Sequence, residues 1–299
     1  MIASAVLAAL NAEKIPYREY LSTKRYSTIR VGGVAPLAIF PETTEQLSAA
    51  VRILRGAELP VEFLGNGSNV FFADGDLKSV LLFTKGLNEI SVEGDRMTAM
   101  AGASLAALTK KAAEESLTGL EFAAGIPGTV GGAIFMNAGA YGSDISAVLT
   151  KSVALDTETG EPMTLTDHAF GYRRSIYMKK KNWICLGGSF LLAKGDRNAI
   201  RETMRELAVR RRETQPLEYP NAGSYFKRPE GDAAGRLIDV CGLKGLRVGD
   251  AAVSEKHAGF MINLGSATAE DLLRLEEMVR DAVHCRFGIT LEREVRFIR

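Results

Sequence analysis

The sequence lacks a large net charge of either sign, closely spaced cysteines and a long hydrophobic run. Its 37 Lys and Arg residues nearly balance 36 Asp and Glu residues, which removes the electrostatic case for nucleic acid as the main partner. The cysteines Cys185, Cys241 and Cys285 are odd in number and far apart, which favours a reducing compartment and disfavours a metal site. No apolar run approaches the roughly 18 residues of a membrane-spanning helix. We therefore expect a cytoplasmic protein without nucleic-acid, membrane or metal partners.

The two commonest nucleotide-binding motifs are also missing. No Gly-x-Gly-x-x-Gly motif opens a helix after a strand, and no Gly-Lys-Ser/Thr motif occurs, so Rossmann and P-loop folds are disfavoured. The amino-terminal segment lacks the basic start of a signal peptide, and Ile2, Val6 and Leu10 recur at helical spacing. With 299 residues, 46% hydrophobic and 24% charged, the chain has the size and composition of a globular enzyme of two domains, or of one large domain with a smaller one.

A glycine-rich stretch over residues 119–144 is the most unusual feature that is present. Its seven glycines alternate with apolar residues such as Phe122, Ile126 and Phe135, with almost no charge. Because glycine weakens helix and strand interiors, we expect an irregular segment. Flexible linkers are polar, so this stretch is not a linker. The pattern predicts a backbone pressed against a flat or phosphorylated cofactor; a tightly packed loop without a ligand is the alternative.

A second glycine-containing loop, residues 65–69 with the sequence GNGSN, follows a short apolar strand. Glycine and asparagine tolerate left-handed backbone geometry, so successive N–H groups can point inward and surround an anion. Ser68, Asn66 and Asn69 add side-chain donors. A pyrophosphate suits this loop, and an ordinary tight turn is the alternative.

Periodicity and capping residues predict the remaining elements. Thr43 or Thr44, Ser104 and Thr268 stand where helix N-caps are expected. A Gln-Pro pair at residues 215–216 predicts a helix end and a domain boundary. The last strand carries Glu292 and Glu294 on one face. The predicted helices cover residues 2–14, 44–55, 105–116, 196–212, 233–241 and 269–287, and the main predicted strands cover 35–40, 61–64, 70–72, 80–83, 90–92, 97–101, 148–155, 161–165, 183–193, 260–263 and 290–298.

Six short segments together resemble the UDP-N-acetylenolpyruvoylglucosamine reductases, flavoenzymes that complete UDP-N-acetylmuramate for bacterial peptidoglycan. The segments are 27–33 (STIRVGG), 64–69 (LGNGSN), 124–132 (AGIPGTVGG), 172–173 (YR), 221–224 (NAGS) and 294–296 (EVR). The first three are similar to the FAD-binding fold of vanillyl-alcohol-type oxidases, and the last three are more specific. The chain resembles the shorter, type II subgroup, since no inserted segment with a substrate-clamping tyrosine lies between Trp183 and Ser224.

The resemblance implies an α+β fold. Two FAD-binding subdomains of the vanillyl-alcohol-oxidase/PCMH type, residues 1–75 and 76–200, precede a C-terminal α+β substrate domain, residues 201–299. It also implies non-covalent FAD, NADPH as reductant, and a monomer or weak oligomer. The implied cofactor contacts are Arg30, Gly32, Gly65, Asn66, Gly67, Ser68, Asn69, Gly125, Ile126, Pro127, Gly128, Thr129, Gly131, Gly132, Asn137 and Gly139.

The resemblance further implies that UDP-N-acetylglucosamine enolpyruvate is the substrate and that three residues are catalytic. Adding hydride β to a carboxylate builds negative charge on that carboxylate, and a separate donor must protonate the α-carbon. Arg173 can hold the carboxylate in a bidentate manner, a protonated Glu294 can donate a hydrogen bond to it, and Ser224 takes the place of the proton donor, assisted by Lys227 or a water. The implied substrate-binding residues are Tyr141, Tyr172, Arg211, Asn221, Lys227 and His257.

Two departures from the family pattern concern the nucleotide. Thr214 stands where many members have lysine, so a phosphate contact passes to Arg211 or Arg212, and Arg228 stands where some members have asparagine. Two other functions stay open from the sequence. One is a flavin oxidase of the same fold acting on an alcohol or hydroxy acid, although the glycine-rich segments lack the His or Cys that often links flavin covalently. The other is a flavin-retaining binding protein without turnover.

Overall fold

Six of the eight α-helices in the described residues lie where the sequence predicts a helix, and α4 and α5 do not. The structure, a computed structural model, describes residues 2–299. Its α-helices are α1 (Ser4–Ala12), α2 (Thr44–Gly56), α3 (Leu105–Glu114), α4 (Val130–Met136), α5 (Ile176–Lys179), α6 (Arg197–Thr214), α7 (Ala234–Val240) and α8 (Ala269–Phe287).

Three predicted helix caps are confirmed. The Thr43 hydroxyl accepts the Gln46 N–H at the start of α2, and the Ser104 hydroxyl accepts the Ala107 N–H at the start of α3. Thr268 and Asp271 form a capping box on α8. Each side chain satisfies an N–H group that has no partner inside its helix, which is why the sequence alone locates these starts.

The strands form small sheets in both halves of the chain. They are β1 (Tyr17–Ser22), β2 (Val34–Ile39), β3 (Val61–Leu64), β4 (Val70–Phe72), β5 (Val80–Phe83), β6 (Ile90–Glu93), β7 (Arg96–Met100), β8 (Leu117–Thr118), β9 (Gly139–Ala140), β10 (Ser143–Asp144), β11 (Leu149–Asp156), β12 (Pro162–Leu165), β13 (Trp183–Leu191), β14 (Ala193–Lys194), β15 (Asn221–Ser224), β16 (Arg247–Val248), β17 (Ala251–Val253), β18 (Phe260–Asn263) and β19 (Arg296–Ile298). Helices and strands are mixed along the chain, which confirms the predicted α+β class.

The described chain divides into two compact units, and neither is continuous in sequence. Unit 1 comprises residues up to 19, 37–66 and 79–210, and unit 2 comprises residues 20–36, 67–78 and 211–299. Unit 2 therefore combines the C-terminal third with two short segments from the first eighty residues. The division into domains 1–75, 76–200 and 201–299 stays a prediction.

Unit 1 has two hydrophobic cores. One packs α1 and α2 against the parallel pairs β2–β5 and β3–β5, with Leu10, Leu47 and Leu82 fully buried. The other packs α3 and α4 against an antiparallel sheet of order β12–β11–β13–β7–β6. In this unit β11 and β12 form an antiparallel hairpin.

Unit 2 is built on an antiparallel sheet of order β15–β18–β17–β16 covered by α7 and α8. The inward face of α8 buries Leu272, Leu275 and Val279, as its periodicity predicts. Next to this sheet β19 pairs in parallel with β4, so Arg296 aligns with Val70. The N-terminal segment 67–78 is therefore held by the last strand of the chain.

Two predictions of local structure are wrong. Residues 130–136 of the glycine-rich stretch form helix α4 rather than an irregular segment. Thr129 caps this helix, and Gly131 packs so closely against Ala101 that a Cβ on Gly131 would lie only 2.8 Å from the Ala101 Cβ. The last strand covers only 296–298, because residues 290–295 make a single bridge, between Phe226 and Arg293. Among residues 2–299, no helix has the length and apolar character needed to cross a membrane.

Candidate functional site

The two loops predicted to hold a cofactor contact each other within unit 1. A Cβ on Gly65 would lie 2.2 Å from the Thr129 Oγ1 atom, so only glycine permits this approach. Thr129 is buried, and its hydroxyl also accepts the Gly132 N–H at 3.4 Å. The first glycine of the 65–69 loop therefore packs directly against Thr129, the residue that caps α4.

Backbone hydrogen bonds hold the 125–132 loop in place. Val130 N–H donates to the Ala103 carbonyl at 2.8 Å, Gly131 N–H donates to the Ala101 carbonyl at 2.9 Å, and Gly128 accepts from Leu105 at 3.1 Å. These bonds leave one side of the loop open. Its open residues are Gly125, Pro127 and Gly132, which are exposed, and Ile126 and Gly128, which are half-buried.

In unit 2, the 27–33 segment packs against Gly67. Thr28 N–H donates to the Gly67 carbonyl at 3.1 Å, and a Cβ on Gly67, whose φ is +67°, would lie 1.9 Å from the Tyr26 carbonyl oxygen. The buried Ser27 hydroxyl donates to the Val70 carbonyl at 2.7 Å. The Thr28 Oγ1 atom is buried and has no hydrogen-bond partner in the part of the chain that the structure describes. A buried hydroxyl in this position suits a ligand that offers a hydrogen bond.

Each unit offers features that suit a cofactor. In unit 1, the exposed backbone of the 125–132 loop allows a flat group to approach closely. In unit 2, the unsatisfied Thr28 hydroxyl can form a hydrogen bond with a polar group. Arg30, two residues after Thr28, is exposed and has a left-handed backbone with φ of +58°. Gly32 is buried, with a Cβ position 2.2 Å from Thr23 Oγ1, so it shapes the segment.

Arg173 lies on a tight turn in unit 1. Its backbone φ is +50°, an unfavourable value for a residue with a side chain, and reciprocal hydrogen bonds between Gly171 and Arg174 close the turn. The guanidinium donates to the Gly139 carbonyl at 3.1 Å and lies 5.3 Å from the Tyr172 ring centre. The predicted residues Tyr172, Arg173 and Gly139 are therefore neighbours.

Asn137 is fully used inside the same region. Its side-chain amide donates to Asp144 at 3.1 Å and to the Gly171 carbonyl at 3.2 Å, and its oxygen accepts the Ser146 N–H at 3.0 Å. Asn137 thus ties the end of α4 to the turn that carries Arg173. Tyr141 is exposed, and its hydroxyl donates to the Leu207 carbonyl of α6 at 3.2 Å.

Ser224 and Glu294 lie on neighbouring extended segments of unit 2. Glu294 N–H donates to the Tyr225 carbonyl at 2.8 Å, and Phe226 bridges Arg293 in antiparallel fashion. Ser224 is exposed and Glu294 is half-buried. Asn69 is bonded to the second segment, because its amide donates to the Glu294 carbonyl at 3.3 Å.

Lys227 and Glu292 form an ion pair at the end of the same two segments. The Lys227 N–H also donates to the Glu292 carbonyl at 2.8 Å. Glu292 is exposed, with 72% of its side-chain surface accessible, whereas Glu294 is half-buried. The two glutamates therefore stand in different environments, although the sequence places both on one face.

The other predicted substrate residues of unit 2 are spread over three segments. Asn221 accepts the Gly223 N–H at 3.0 Å and donates to the Pro216 and Tyr219 carbonyls, so its side chain shapes the turn before β15. His257 accepts the Gly259 N–H at 3.0 Å on Nδ1, and burial lowers the pKa of its imidazole. Arg211 is half-buried in the last turn of α6.

Three further buried polar groups were not predicted from the sequence. Buried Glu276 on α8 bonds Tyr225 and Arg293. Buried Asn263 donates to the Ile29 carbonyl at 3.0 Å, a residue 234 positions away. No local motif marks either group, because their partners are distant in sequence.

The third missed group is a buried polar cluster in unit 1. The Ser152 hydroxyl contacts His168 Nε2 at 2.9 Å and the Tyr177 hydroxyl at 2.8 Å. The His168 carbonyl accepts the Ile176 N–H at 2.6 Å, which closes the loop that carries Arg173. Burial lowers the pKa of His168 and raises that of the nearby Cys185 thiol to about 11. All three cysteines are free thiols.

Two family models match the chain. One, described as an FAD binding domain, matches residues 35–166, and the other, described as the UDP-N-acetylenolpyruvoylglucosamine reductase C-terminal domain, matches residues 215–298. The first spans both loops of the Gly65–Thr129 contact, and the second spans Ser224 and Glu294.

Curated relatives match over almost the whole chain. A UDP-N-acetylenolpyruvoylglucosamine reductase of Geobacillus thermodenitrificans is 47% identical over 277 residues, which are 92% of this chain and 90% of the relative. One of Exiguobacterium sibiricum is 44% identical over 277 residues, with the same coverage of 92% and 90%.

Solved structures agree with this match. The crystal structure of UDP-N-acetylenolpyruvylglucosamine reductase from Thermus caldophilus superposes with a TM-score of 0.80 at 33% identity, covering 95% of this chain and 99% of that one. Berberine bridge enzyme from Eschscholzia californica superposes with a TM-score of 0.50 at 15% identity, over 64% of this chain and 44% of that one, which is a likeness of fold. Together with the FAD-binding family model, these matches confirm the predicted FAD-binding fold.

Proposed function

Because the chain belongs to the UDP-N-acetylenolpyruvoylglucosamine reductase family, we propose that it reduces the enolpyruvyl group of UDP-N-acetylglucosamine enolpyruvate to give UDP-N-acetylmuramate. It is an oxidoreductase of peptidoglycan synthesis that binds FAD, with NADPH as the reductant. The 44–47% identity over nine-tenths of the chain is the observation that carries this conclusion.

The predicted FAD contacts in unit 1 are of two kinds: residues with accessible backbone, and packed residues that fix the loop. Gly125, Ile126, Pro127, Gly128 and Gly132 offer accessible backbone, while Gly65 and Thr129 fix the loop beneath them. In unit 2, Ser68 and Asn69 directly follow Gly67, and the Thr28 hydroxyl is available for a hydrogen bond. When bound, FAD takes a hydride from NADPH and supplies it to the substrate.

Arg173 is proposed to bind the substrate carboxylate. Hydride addition at the β-carbon pushes electrons toward that carboxylate, so a fixed cation lowers the free energy of the charged species. The turn closed by Gly171 and Arg174 fixes the backbone, and the Gly139 carbonyl and the Tyr172 ring fix the guanidinium. A guanidinium positioned in advance loses little entropy when the anion binds.

Ser224 is proposed to donate the proton to the α-carbon. Its hydroxyl is exposed, as a donor that must reach a substrate has to be. Glu294, on the neighbouring segment, is proposed to donate a hydrogen bond to the substrate carboxylate in its protonated form. Lys227 lies three residues after Ser224 and forms an ion pair with Glu292, and it is proposed to assist Ser224.

The remaining assignments concern the nucleotide and the state of the protein. Tyr141, Tyr172, Arg211, Asn221, Lys227 and His257 are proposed to contact the substrate. Free thiols in Cys185, Cys241 and Cys285 support a reducing compartment, and we propose a cytoplasmic location. A monomer or weak oligomer is proposed as well.

Anaerobic mixing tests the proposed function in two steps. The purified protein should be yellow; NADPH should bleach its flavin absorbance, and the enolpyruvyl nucleotide should then restore it. A protein that neither contains flavin nor takes up added FAD would refute the proposal. Restoration by a simple alcohol or hydroxy acid redox pair, and not by the nucleotide, would instead favour an oxidase of the same fold.

A Ser224→Ala variant tests the proton donor. Bleaching by NADPH should proceed at the wild-type rate, and restoration by the nucleotide should slow by about 10²–10⁴-fold, the usual contribution of a positioned acid. Ser266→Ala, at another exposed serine of unit 2, is the matched control and should leave both steps unchanged. Equal slowing of both steps in Ser224→Ala would remove Ser224 from this role.

A further inference from the structure

One buried carboxylate holds both segments that carry the proposed proton donor and its glutamate neighbour. Glu276 on α8 is 5% exposed. Its Oε2 atom accepts the Tyr225 hydroxyl at 3.0 Å and the Arg293 guanidinium at 3.0 Å, and its Oε1 atom accepts the Arg280 guanidinium at 2.6 Å. A carboxylate with three donors in a buried position is strongly held, and so are the groups that donate to it.

Two of the three donors, Tyr225 and Arg293, are adjacent in sequence to residues with a proposed catalytic role. Tyr225 directly follows Ser224, and Arg293 directly precedes Glu294. The Glu294 N–H donates to the Tyr225 carbonyl at 2.8 Å, so the two segments are also bonded to each other. One oxygen atom of Glu276 therefore fixes both segments from the side of α8.

The anchoring side chains are themselves tightly packed. Tyr225 is 1% exposed, and its ring lies 6.2 Å from that of Phe71. The Arg293 guanidinium lies 5.7 Å from the ring centres of both Phe71 and Phe297. These contacts hold the Tyr225 ring and the Arg293 guanidinium in place, and the hydrogen bonds to Glu276 fix the distance of each segment from α8.

We propose that Glu276 is a positioning residue for substrate reduction: through Tyr225 and Arg293 it sets the positions of Ser224 and Glu294. This inference rests on the proposed function. Glu276 itself does not touch the substrate and gives up no proton. It acts only on the second step, the reduction of the nucleotide substrate, because Ser224 and Glu294 take no part in the first step, the transfer of hydride from NADPH to the flavin.

The first test is Glu276→Gln, which keeps the size of the side chain and removes its charge. The amide oxygen can still accept from Tyr225 and Arg293, but without the negative charge it holds the Arg293 guanidinium less strongly, and its NH₂ group faces the Arg280 guanidinium. We therefore expect both segments to be held less firmly. A displacement of about 1 Å in a catalytic group costs about 10- to 100-fold in rate. We expect the nucleotide to restore the flavin absorbance 10- to 100-fold more slowly, while NADPH bleaches it at the wild-type rate. The dissociation constant of the nucleotide for oxidised enzyme should change less than threefold.

A second variant guards against loss of folding. Tyr225→Phe removes one hydroxyl, leaves the ring in its packing and leaves Arg293 paired with Glu276. It should slow the second step by a smaller factor. Because both changes act through the same oxygen atom, the double variant should be no slower than Glu276→Gln alone. Glu277→Gln, the exposed neighbour on α8, is the matched control and should match wild type.

The outcomes separate this inference from the proposed function. A wild-type flavin that the nucleotide does not reoxidise would overturn the proposed function and this inference with it. With an active wild type, the inference is overturned if both single variants keep the second step within twofold of wild type. It is equally overturned if both half-reactions slow by the same factor, since Glu276 would then support only the fold.

Discussion

Replacing Gly65 by alanine should break the contact on which the proposed cofactor loops depend. The new Cβ would lie 2.2 Å from Thr129 Oγ1 and 3.2 Å from the Thr129 Cβ and Cγ2 atoms. Thr129 is only 3% exposed, so it has little room to move. Overpacking of this kind costs about 1–3 kcal/mol of unfolding free energy. We expect Gly65→Ala to fall in that range and to weaken FAD binding.

A double-mutant cycle tests whether the Thr129 hydroxyl is the cause. Thr129→Ala removes the N-cap of α4 and should cost about 1 kcal/mol. In the double variant the clashing oxygen is absent and only the 3.2 Å carbon contact has to relax. The double variant should therefore lose about 1–1.5 kcal/mol, less than the sum of the single losses of about 2–4 kcal/mol, which gives a coupling energy of about 0.5–3 kcal/mol.

Urea denaturation of flavin-free protein, followed by the fluorescence of the single tryptophan, Trp183, measures these free energies. Gly132→Ala is the matched control, because its Cβ would meet only Thr129 Oγ1 at an ordinary 3.6 Å. It should hold or gain about 0.5–1 kcal/mol through helix propensity, yet weaken FAD binding if the flavin lies against this exposed position. A neutral Gly65→Ala, or strict additivity in the double variant, would refute the packing argument.

Three further predictions concern a cap, pH dependence and the choice of glutamate. Asp74→Ala should cost about 1 kcal/mol in urea denaturation, because Asp74 accepts the Ala269 and Glu270 N–H groups at the start of α8, whereas Asp76→Ala should stay within about 0.5 kcal/mol. Burial lowers the pKa of His168 and His257, so below a pH of about 6.5, the pKa of an unfolded histidine, the unfolded chain binds more protons than the folded one. The unfolding free energy should therefore fall as the pH drops through that value, and it should fall less steeply in a His168→Asn variant. A stability that does not change between about pH 5 and 7 would contradict this prediction. Glu294→Gln should slow substrate reduction far more than Glu292→Gln in stopped-flow mixing, and the opposite order would exchange their roles.

The helix starts at Thr43, Ser104 and Thr268 were predictable because a cap is a contact between residues three positions apart. The core face of α8 was predictable for a similar reason, since a period of 3.6 residues is visible within one window. Helix α4 was missed because glycine lowers local helix propensity, while packing of Gly131 on Ala101 favours the helix through a contact thirty residues away.

The candidate site shows the same division. The sequence predicted Arg173, Ser224 and Glu294 as catalytic residues through short motifs, but it placed Glu292 and Glu294 on the same face of one strand. The fold separates them, because residues 290–295 are not a regular strand and Glu292 pairs with Lys227. Glu276 carries no motif, and its bond to Tyr225 joins residues 51 positions apart.

The α+β class, the helix starts, the two glycine-containing loops and the resemblance to a flavoenzyme family could be predicted from the sequence, because each depends on residues close together in the chain. Three features required the folded chain: the packing of Gly65 on Thr129, the bonds from Glu276 to the segments of Ser224 and Glu294, and the association of residues 20–36 and 67–78 with the C-terminal third. Such contacts depend on shape and on hydrogen bonds between distant groups. They exist only once the hydrophobic cores have brought those groups together.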